Sequence, residues 1–422
     1  MEKLKPYPKY KPVNLPWLKE IPAHWDLSRN KVFLNEQKKL VGNNSNKYTL
    51  LSLTKDGIVN RDIENAKGKF PKDFYSYKIV DAGDIIFCLF DIDETPRTVG
   101  LSRLNGMITG AYDVFKIRNI DPHFFYYYYL SIDEMKLLKP YYRSLRKVIK
   151  PKSFLSICLP VPPFDEQKKI VAFLDEKTAK IDKYIEAKSK EIELLKEQKN
   201  AEISNAVTRG LNPNTKFKPV NLPWLKEIPA HWGLRFLFQI ASEHFISNKY
   251  IKEQNLLSLS YGKIIKKDIN ITEGLLPVSF DTYQVVEKGN VIIRPTDLQN
   301  DHRSLRVGLA RERGIITSAY IAIEPSHELC PEYLYYLLHT YDLHKEFYRM
   351  GGGMRQSLKW RELRKLNFYI PSLDEQKKII AFLDDKTEKY TKAISAIQRK
   401  IDLLKEYKTR LISDAVTGKI RV

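Results

Sequence analysis

KPVNLPWLKEIPAHW runs from Lys11 to Trp25 and recurs, without one change, from Lys218 to Trp232. Two copies lying about half a chain apart make internal repetition the first property to trace through the 422 residues. DEQKKIVAFLDEKTAKID (Asp165–Asp182) returns as DEQKKIIAFLDDKTEKYT (Asp374–Thr391). IELLKEQKNAEISNAVT (Ile192–Thr208) returns as IDLLKEYKTRLISDAVT (Ile401–Thr417). Between these blocks the echo is fainter but stays in register. LLSL recurs at Leu50–Leu53 and Leu256–Leu259, Gly83 pairs with Gly289, and GMITGAY (Gly106–Tyr112) answers GIITSAY (Gly314–Tyr320). Each half therefore has strongly repeated ends around a diverged middle. Such a pattern suggests ends that do one job twice and middles that do two different jobs. Two halves of this size are large enough to bury separate cores about a pseudo-two-fold axis.

The repeated blocks after each middle read as long helices. In the first, Pro162 and Pro163 precede, Asp165 is a plausible N-cap and Gly210 follows as a stop. Apolar residues recur at heptad spacing, which predicts a coiled-coil seam through Leu174, Ile181, Ile185, Ile192 and Leu195. The second copy places Leu383, Ile394, Ile397, Ile401 and Leu404 on the same stripe.

Charge separates the helices from the rest. The chain carries a formal net charge of +20, with a pI near 9.5, which favours a polyanionic partner and nucleic acid first. The helices are nearly neutral: Asp165–Thr208 has 9 Lys against 10 acidic residues, and Asp374–Val416 has 10 Lys and Arg against 8. The helices thus look protein-facing and the middles polyanion-facing.

In the middles the period shifts toward strands. KIVDAGDIIF (Lys78–Phe87) and QVVEKGNVIIR (Gln284–Arg294) each read as strand, glycine turn, strand. PHFFYYYYL (Pro122–Leu130) and PEYLYYLLH (Pro331–His339) each read as a proline-started helix whose aromatics at three-and-four spacing belong to a core rather than a base-stacking platform. Two basic clusters stand out in the second half, RPTDLQNDHRSLR (Arg294–Arg306) and RMGGGMRQSLKW (Arg349–Trp360). Arg matches guanine edges, Asn and Gln match adenine edges, and glycines let a loop approach closely. Candidate DNA contacts there are Arg294, Arg303, Arg306, Arg349, Arg355, Gln356 and Lys359. The first half offers Arg97, then Arg143, Arg146, Lys147 and Lys150 from YRSLRKVIKPKS (Tyr142–Ser153). By register Arg355 aligns with Arg146 and Lys359 with Lys150.

Several chemistries find no support. There is no GxGxxG or GxxxxGK[ST] loop, no HExxH, no GxSxG and no Asn/Asp-Pro-Pro-aromatic tetrapeptide. The eight histidines do not cluster at ligand spacing, and His24 and His231 are expected to orient the leading segment of each half. Cys88, Cys158 and Cys330 are scattered without a CxxC pair, which favours a reducing cytoplasm. MEKLKPYPKY carries no apolar run like a signal peptide, and no window approaches the roughly 18 apolar residues of a membrane span.

WLKEIPAHW before each middle, DEQKKI(V/I)AFLD opening each helix and AVTRGLNPN (Ala206–Asn214) leading into the second half together resemble the specificity subunit of type I restriction-modification enzymes, over essentially the full length. Where that family's wording has an acidic, glycine-bearing DSG before the first tryptophan, both copies here read PVNLPW. The resemblance implies an α+β chain: two globular α/β target recognition domains, each followed by a long helix, with the two helices packed as an antiparallel coiled coil. It divides the chain into residues 1–162 (first recognition domain), 163–209 (central helix), 210–371 (second recognition domain) and 372–422 (C-terminal helix). Each domain would read one half of a bipartite double-stranded DNA site. Two methyltransferase subunits would dock on the repeated ends, bring S-adenosylmethionine and methylate adenine N6. Motor-nuclease subunits with ATP and Mg could join, and this chain would carry no cofactor of its own and meet no membrane. Two rival readings are an orphan or decoy subunit without working partners, and a DNA-modifying enzyme with an unrecognised site.

Overall fold

The computed structural model describes residues 5–62, 73–142, 147–270, 279–298, 301, 304–350 and 357–422. The chain divides into two compact units, Met1–Ser189 with Arg399–Val422, and Lys190–Gln398. Both breaks fall inside long helices, Phe164–Arg209 and Leu373–Val416. The division expected from the sequence puts its breaks at the helix ends, whereas each compact unit takes part of each helix.

In the first unit the leading segment forms a hairpin, Tyr10–Leu15 with Leu18–Pro22. Asp26–Arg29 then pairs antiparallel with Cys158–Val161, which ties the start of the globular part to the residues just before the long helix. The central sheet has four antiparallel strands in the order Leu34–Gln37, Asp113–Ile117, Ile85–Phe87, Val99–Leu101. Ile85, Ile86 and Phe87 are all buried because the sheet is covered on both faces. Ile85 and Phe87 pack in the main core with the helix Pro122–Glu134, while Ile86 and Val114 pack on the opposite face with Leu51 and Ile108.

The turn before that strand needs its glycine. Gly83 has φ of +95°, and the Asp84 amide donates to the Asp81 carbonyl at 3.0 Å. The strands on either side of it do not pair with each other: Lys78–Val80 pairs with Gly106–Ile108 in a separate ladder. This glycine turn therefore carries the chain from one sheet to the next. The helix Pro122–Glu134 is capped by the Asp121 carboxylate, which accepts from the amides of His123 and Phe124. Phe124, Phe125, Tyr128 and Tyr129 are buried, so the tyrosine run is core. The buried Tyr129 hydroxyl still finds a partner, donating to Asn30 Oδ1 at 2.7 Å.

The second unit repeats the scheme. Phe217–Leu222 pairs with Leu225–Pro229, and Gly233–Phe236 with Asn367–Ile370. Its four-stranded sheet runs Ala241–His244, Ile321–Pro325, Val291–Ile293, Val307–Leu309, covered by the helix Pro331–Leu343. Gly289, at φ +99°, makes the equivalent turn.

The long helices, 46 and 44 residues, would each extend about 65–70 Å at 1.5 Å per residue. They pair antiparallel within each unit. In the first, Lys408 Nζ meets the Asp182 carboxylate at 2.6 Å and Lys400 sits 5.1 Å over the Tyr184 ring. In the second, Gly210 lies beside Glu375, and Tyr390 donates to Glu202 at 2.8 Å. Of the seam positions, Leu174, Ile181, Ile192, Leu383 and Ile401 are buried; Ile185, Leu195, Ile394, Ile397 and Leu404 are half-buried.

The helix ends close the units in exchanged order. Leu411, Ile412, Ala415 and Val416, at the end of the second long helix, enter the core of the first unit. Gly418 follows at φ +76°, pressed against Pro22 and Trp25, and the Arg421 amide donates to the Lys5 carbonyl at 2.8 Å. In the second unit the corresponding pieces are Ala206, Val207 and Gly210 against Trp232. Each AVT block thus closes on the leading segment of the other half.

Candidate nucleic-acid interface

The repeated ends fit together around one carboxylate in each unit. Glu166 accepts from Trp25 Nε1 at 3.1 Å and pairs with His24 Nε2 at 2.9 Å, and the Tyr7 hydroxyl donates to it as well. Burial, and then this carboxylate, push the Tyr7 phenol well above its ordinary range. Glu375 holds Trp232 and His231 in the same way, at 3.2 and 2.9 Å. The next residue clamps the aromatic helix: Gln167 accepts from the Asp121 amide and donates to the Pro162 carbonyl, both at 2.8 Å. Gln376 does this for Cys330 and Pro371. Asp175 and Asp384 then accept from Tyr127 and Tyr336. The DEQ…FLD wording is therefore a bracket that fixes leading segment, helix and globular part in one geometry, with both histidines in orienting roles. The unusual PVNLPW also packs inward, with Trp17 Nε1 donating to the Tyr128 hydroxyl at 3.2 Å.

The basic candidates have different fates. Arg143, Arg146, Arg303, Arg355 and Gln356 lie outside the described residues. Arg306 is a correction, because it is wholly buried. Its Nε donates to the Tyr348 hydroxyl (3.0 Å), and its two terminal nitrogens reach the carbonyls of Arg294, Thr296, Asp297 and Asp301. All its donors are turned onto the chain, so Arg306 organises the loop that follows Arg294 and has no surface for DNA. Arg97 is also largely enclosed, bonding Asp133 at 3.4 Å and Glu134 at 2.7 Å. Lys147 pairs with Glu94 and Asp93, and Arg294 with Asp301. Arg349 is exposed beside Glu346, while Lys150 and Lys359 are exposed at the starts of short helices.

One feature of the second unit escaped the sequence reading. A cleft of about 530 Å³ is lined by Phe245, Tyr320, Lys359, Trp360, Arg361 and Arg364 among others. Beside it Phe238, 47 % exposed, stacks on Phe236 at 5.6 Å and lies under the Arg364 guanidinium at 5.4 Å. Exposed aromatic faces next to cations can stack on bases or hold phosphates. The continuation LKWRELRK (Leu358–Lys365) signalled the cations, but Phe238 and Phe245 come from a segment over a hundred residues earlier.

Among the described residues no helix is long and apolar enough to cross a membrane, and no group of three His, Cys, Asp or Glu is placed to hold a metal ion. The profile of the type I restriction modification DNA specificity domain matches residues 30–194 and 306–403. The chain belongs to this family. Among similar proteins is one assigned as the type I restriction enzyme MjaX specificity subunit of Methanocaldococcus jannaschii, 23% identical over 437 residues, covering 96% of this chain and 95% of that protein. The type I restriction enzyme MjaVIII specificity subunit of the same organism is 23% identical over 288 residues, 64% of each chain. A solved chain from work on complex assembly and conformational transition of the type I R-M system superposes with a TM-score of 0.66. That superposition covers 95% of this chain and 99% of the other at 14% identity, a likeness of fold. The bracketed ends and diverged middles are thus features of a type I specificity subunit.

Proposed function

We propose that this specificity subunit reads a bipartite double-stranded DNA target, one half through residues 1–162 and the other through residues 210–371. The observation that carries this reading is the contrast within the repeat. Ends identical over fifteen residues build the same bracket twice, while the middles share a fold and differ in their surface side chains. Two equivalent partners need two equivalent surfaces, and two half-sites need two different readers. Lys359, Trp360, Arg361 and Arg364, with Phe238 and Phe245, form the shelf that meets DNA in the second domain. Lys150 and Arg349 add phosphate contacts. Phosphate contacts would set register and salt dependence, and base-edge contacts would set sequence.

The long helices dock two methyltransferase subunits. Leu194 and Leu403, at matching repeat positions, are 52 % and 59 % exposed and offer one equivalent apolar contact on each helix. S-adenosylmethionine belongs to those partners and ATP and Mg to motor-nuclease subunits, while this chain recognises without catalysing, in the cytoplasm where its DNA lies.

Co-expression with the cognate methyltransferase subunit, followed by single-molecule mapping of N6-methyladenine, tests the reading. A two-part motif with an unread gap is the expected result, and exchanging one middle should change one half of it only. A stable complex without new methylation would instead favour a decoy subunit.

A further inference from the structure

We propose that the second unit binds a phosphate-bearing nucleotide, in a cleft whose lining differs from the residues at the matching repeat positions of the first unit. The cleft, about 1110 Å³, lies between the two helix segments of that unit and its globular part. His339 forms part of its wall; the side chain is 5 % exposed, and Nδ1 has no hydrogen-bond partner among the described residues. A buried ring nitrogen left in that state carries an uncompensated desolvation cost. Lys199, Lys263 and Arg311 also line the cleft, and among the described residues none of them has an acidic partner. Lys199 is close enough to Lys263 for mutual repulsion; burial first, and that neighbour second, hold its ammonium below the ordinary lysine range.

The acids facing the cleft are already engaged. Asp384 accepts from Tyr336 at 2.7 Å, and Glu388 pairs with Lys392 at 2.6 Å. Converging cations without counter-charge match a phosphate. The remaining walls suit a ring. Tyr335 stacks on His339 at 6.0 Å, Tyr261 is exposed at the rim, and Ile264, Leu305 and Leu309 supply apolar surface.

Repeat register shows what the first unit has instead. Leu130 stands where the second has His339, and Gly57 where it has Lys263. The counterpart of Lys199 is Lys408, neutralised by Asp182 at 2.6 Å; the second unit has Thr391 at the position of that aspartate. One cation is kept on both sides, Arg103 answering Arg311, but the first unit has an apolar wall and a neutralised lysine where the second has an unpartnered imidazole and the lysines Lys199 and Lys263.

The test is titration of the purified full-length chain with a fluorescent ATP analogue, with thermal melting as a check on folding. Saturable binding, displaced by unlabelled ATP and weakened about tenfold or more by Lys199→Met or His339→Leu, is expected. Lys408→Met should leave it unchanged. Displacement by duplex DNA of unrelated sequence, steeply salt-dependent, would assign the phosphate to a DNA backbone and leave the chemistry of the cleft as stated. Absence of saturable binding, together with unchanged duplex affinity in a folded Lys199→Met chain, would overturn the proposal. The methylation map is read independently, so failure here and failure of the bipartite reading are distinguishable.

Discussion

Arg306 gives the most discriminating test of how the second recognition domain is built. Its guanidinium spends its donors on the Tyr348 hydroxyl and four carbonyls of the loop Arg294–Asp301, while its own amide donates to Asp342 Oδ2 at 2.7 Å. Arg306→Met keeps the aliphatic bulk and removes every one of those side-chain bonds. Charge-assisted hydrogen bonds are worth about 1.5–3 kcal/mol each. The loop can open and rehydrate its carbonyls, so the net loss is smaller than their sum, about 3–5 kcal/mol. For a unit of this size that corresponds to a fall in Tm of roughly 10 °C. Arg306→Lys, with three donors on a point charge, should recover less than half of it. The assay is thermal unfolding followed by tryptophan fluorescence, run beside binding to a duplex carrying the mapped motif. Binding to the second half-site should fall with the loop's order, and binding to the first should hold. An unchanged Tm with weakened DNA binding would refute the structural assignment and restore Arg306 as a DNA contact.

Glu375→Ala should cost about 1–3 kcal/mol, because the buried Trp232 indole loses its acceptor, and urea denaturation would measure it. Gly418→Ala puts a methyl group 2.4 Å from Pro22 Cδ at a positive φ, so destabilisation of about 1–3 kcal/mol and faster proteolysis at the C-terminus are expected. Burial lowers His339 from 6.5 to about 4, so as pH falls the unfolded chain takes up its proton first. The stability this contributes is full above about pH 7 and lost between about pH 6.5 and 4, with about 2 kcal/mol gone by pH 5. His339→Leu should lack that part of the decline when melting is compared at pH 7 and pH 5. Arg364→Ala should weaken duplex binding by about 1–3 kcal/mol without altering Tm, and Trp360→Ala should weaken it while also lowering Tm, because that ring packs on the core; equal affinities would move the DNA-facing surface elsewhere.

The features legible in the amino-acid sequence were those with local signals. Seam residues recur at heptad spacing, Gly83 and Gly289 mark turns requiring positive φ, and Pro122 and Pro331 open the two aromatic helices. Fifteen identical residues announced the duplication itself. The candidate DNA contacts were harder to read, since a basic residue in a loop looks alike whether it faces water, an acid or a carbonyl. Arg97 belongs to the second case, its partner Asp133 lying 36 residues on in the covering helix, and Arg306 to the third, its guanidinium turned onto loop carbonyls 5–12 residues before it and onto Tyr348.

The sequence by itself determined that there are two like halves with nearly neutral helices and basic middles, because repetition, period and charge are written along the chain. Only the tertiary structure decided that each unit is closed by the helix end belonging to the other half, that Glu166 and Glu375 are brackets, and that Lys199 stands without a counter-charge while Lys408 has one. Burial and pairing are settled by residues far apart in the chain, and no local pattern reports which of two identical lysines will find its aspartate.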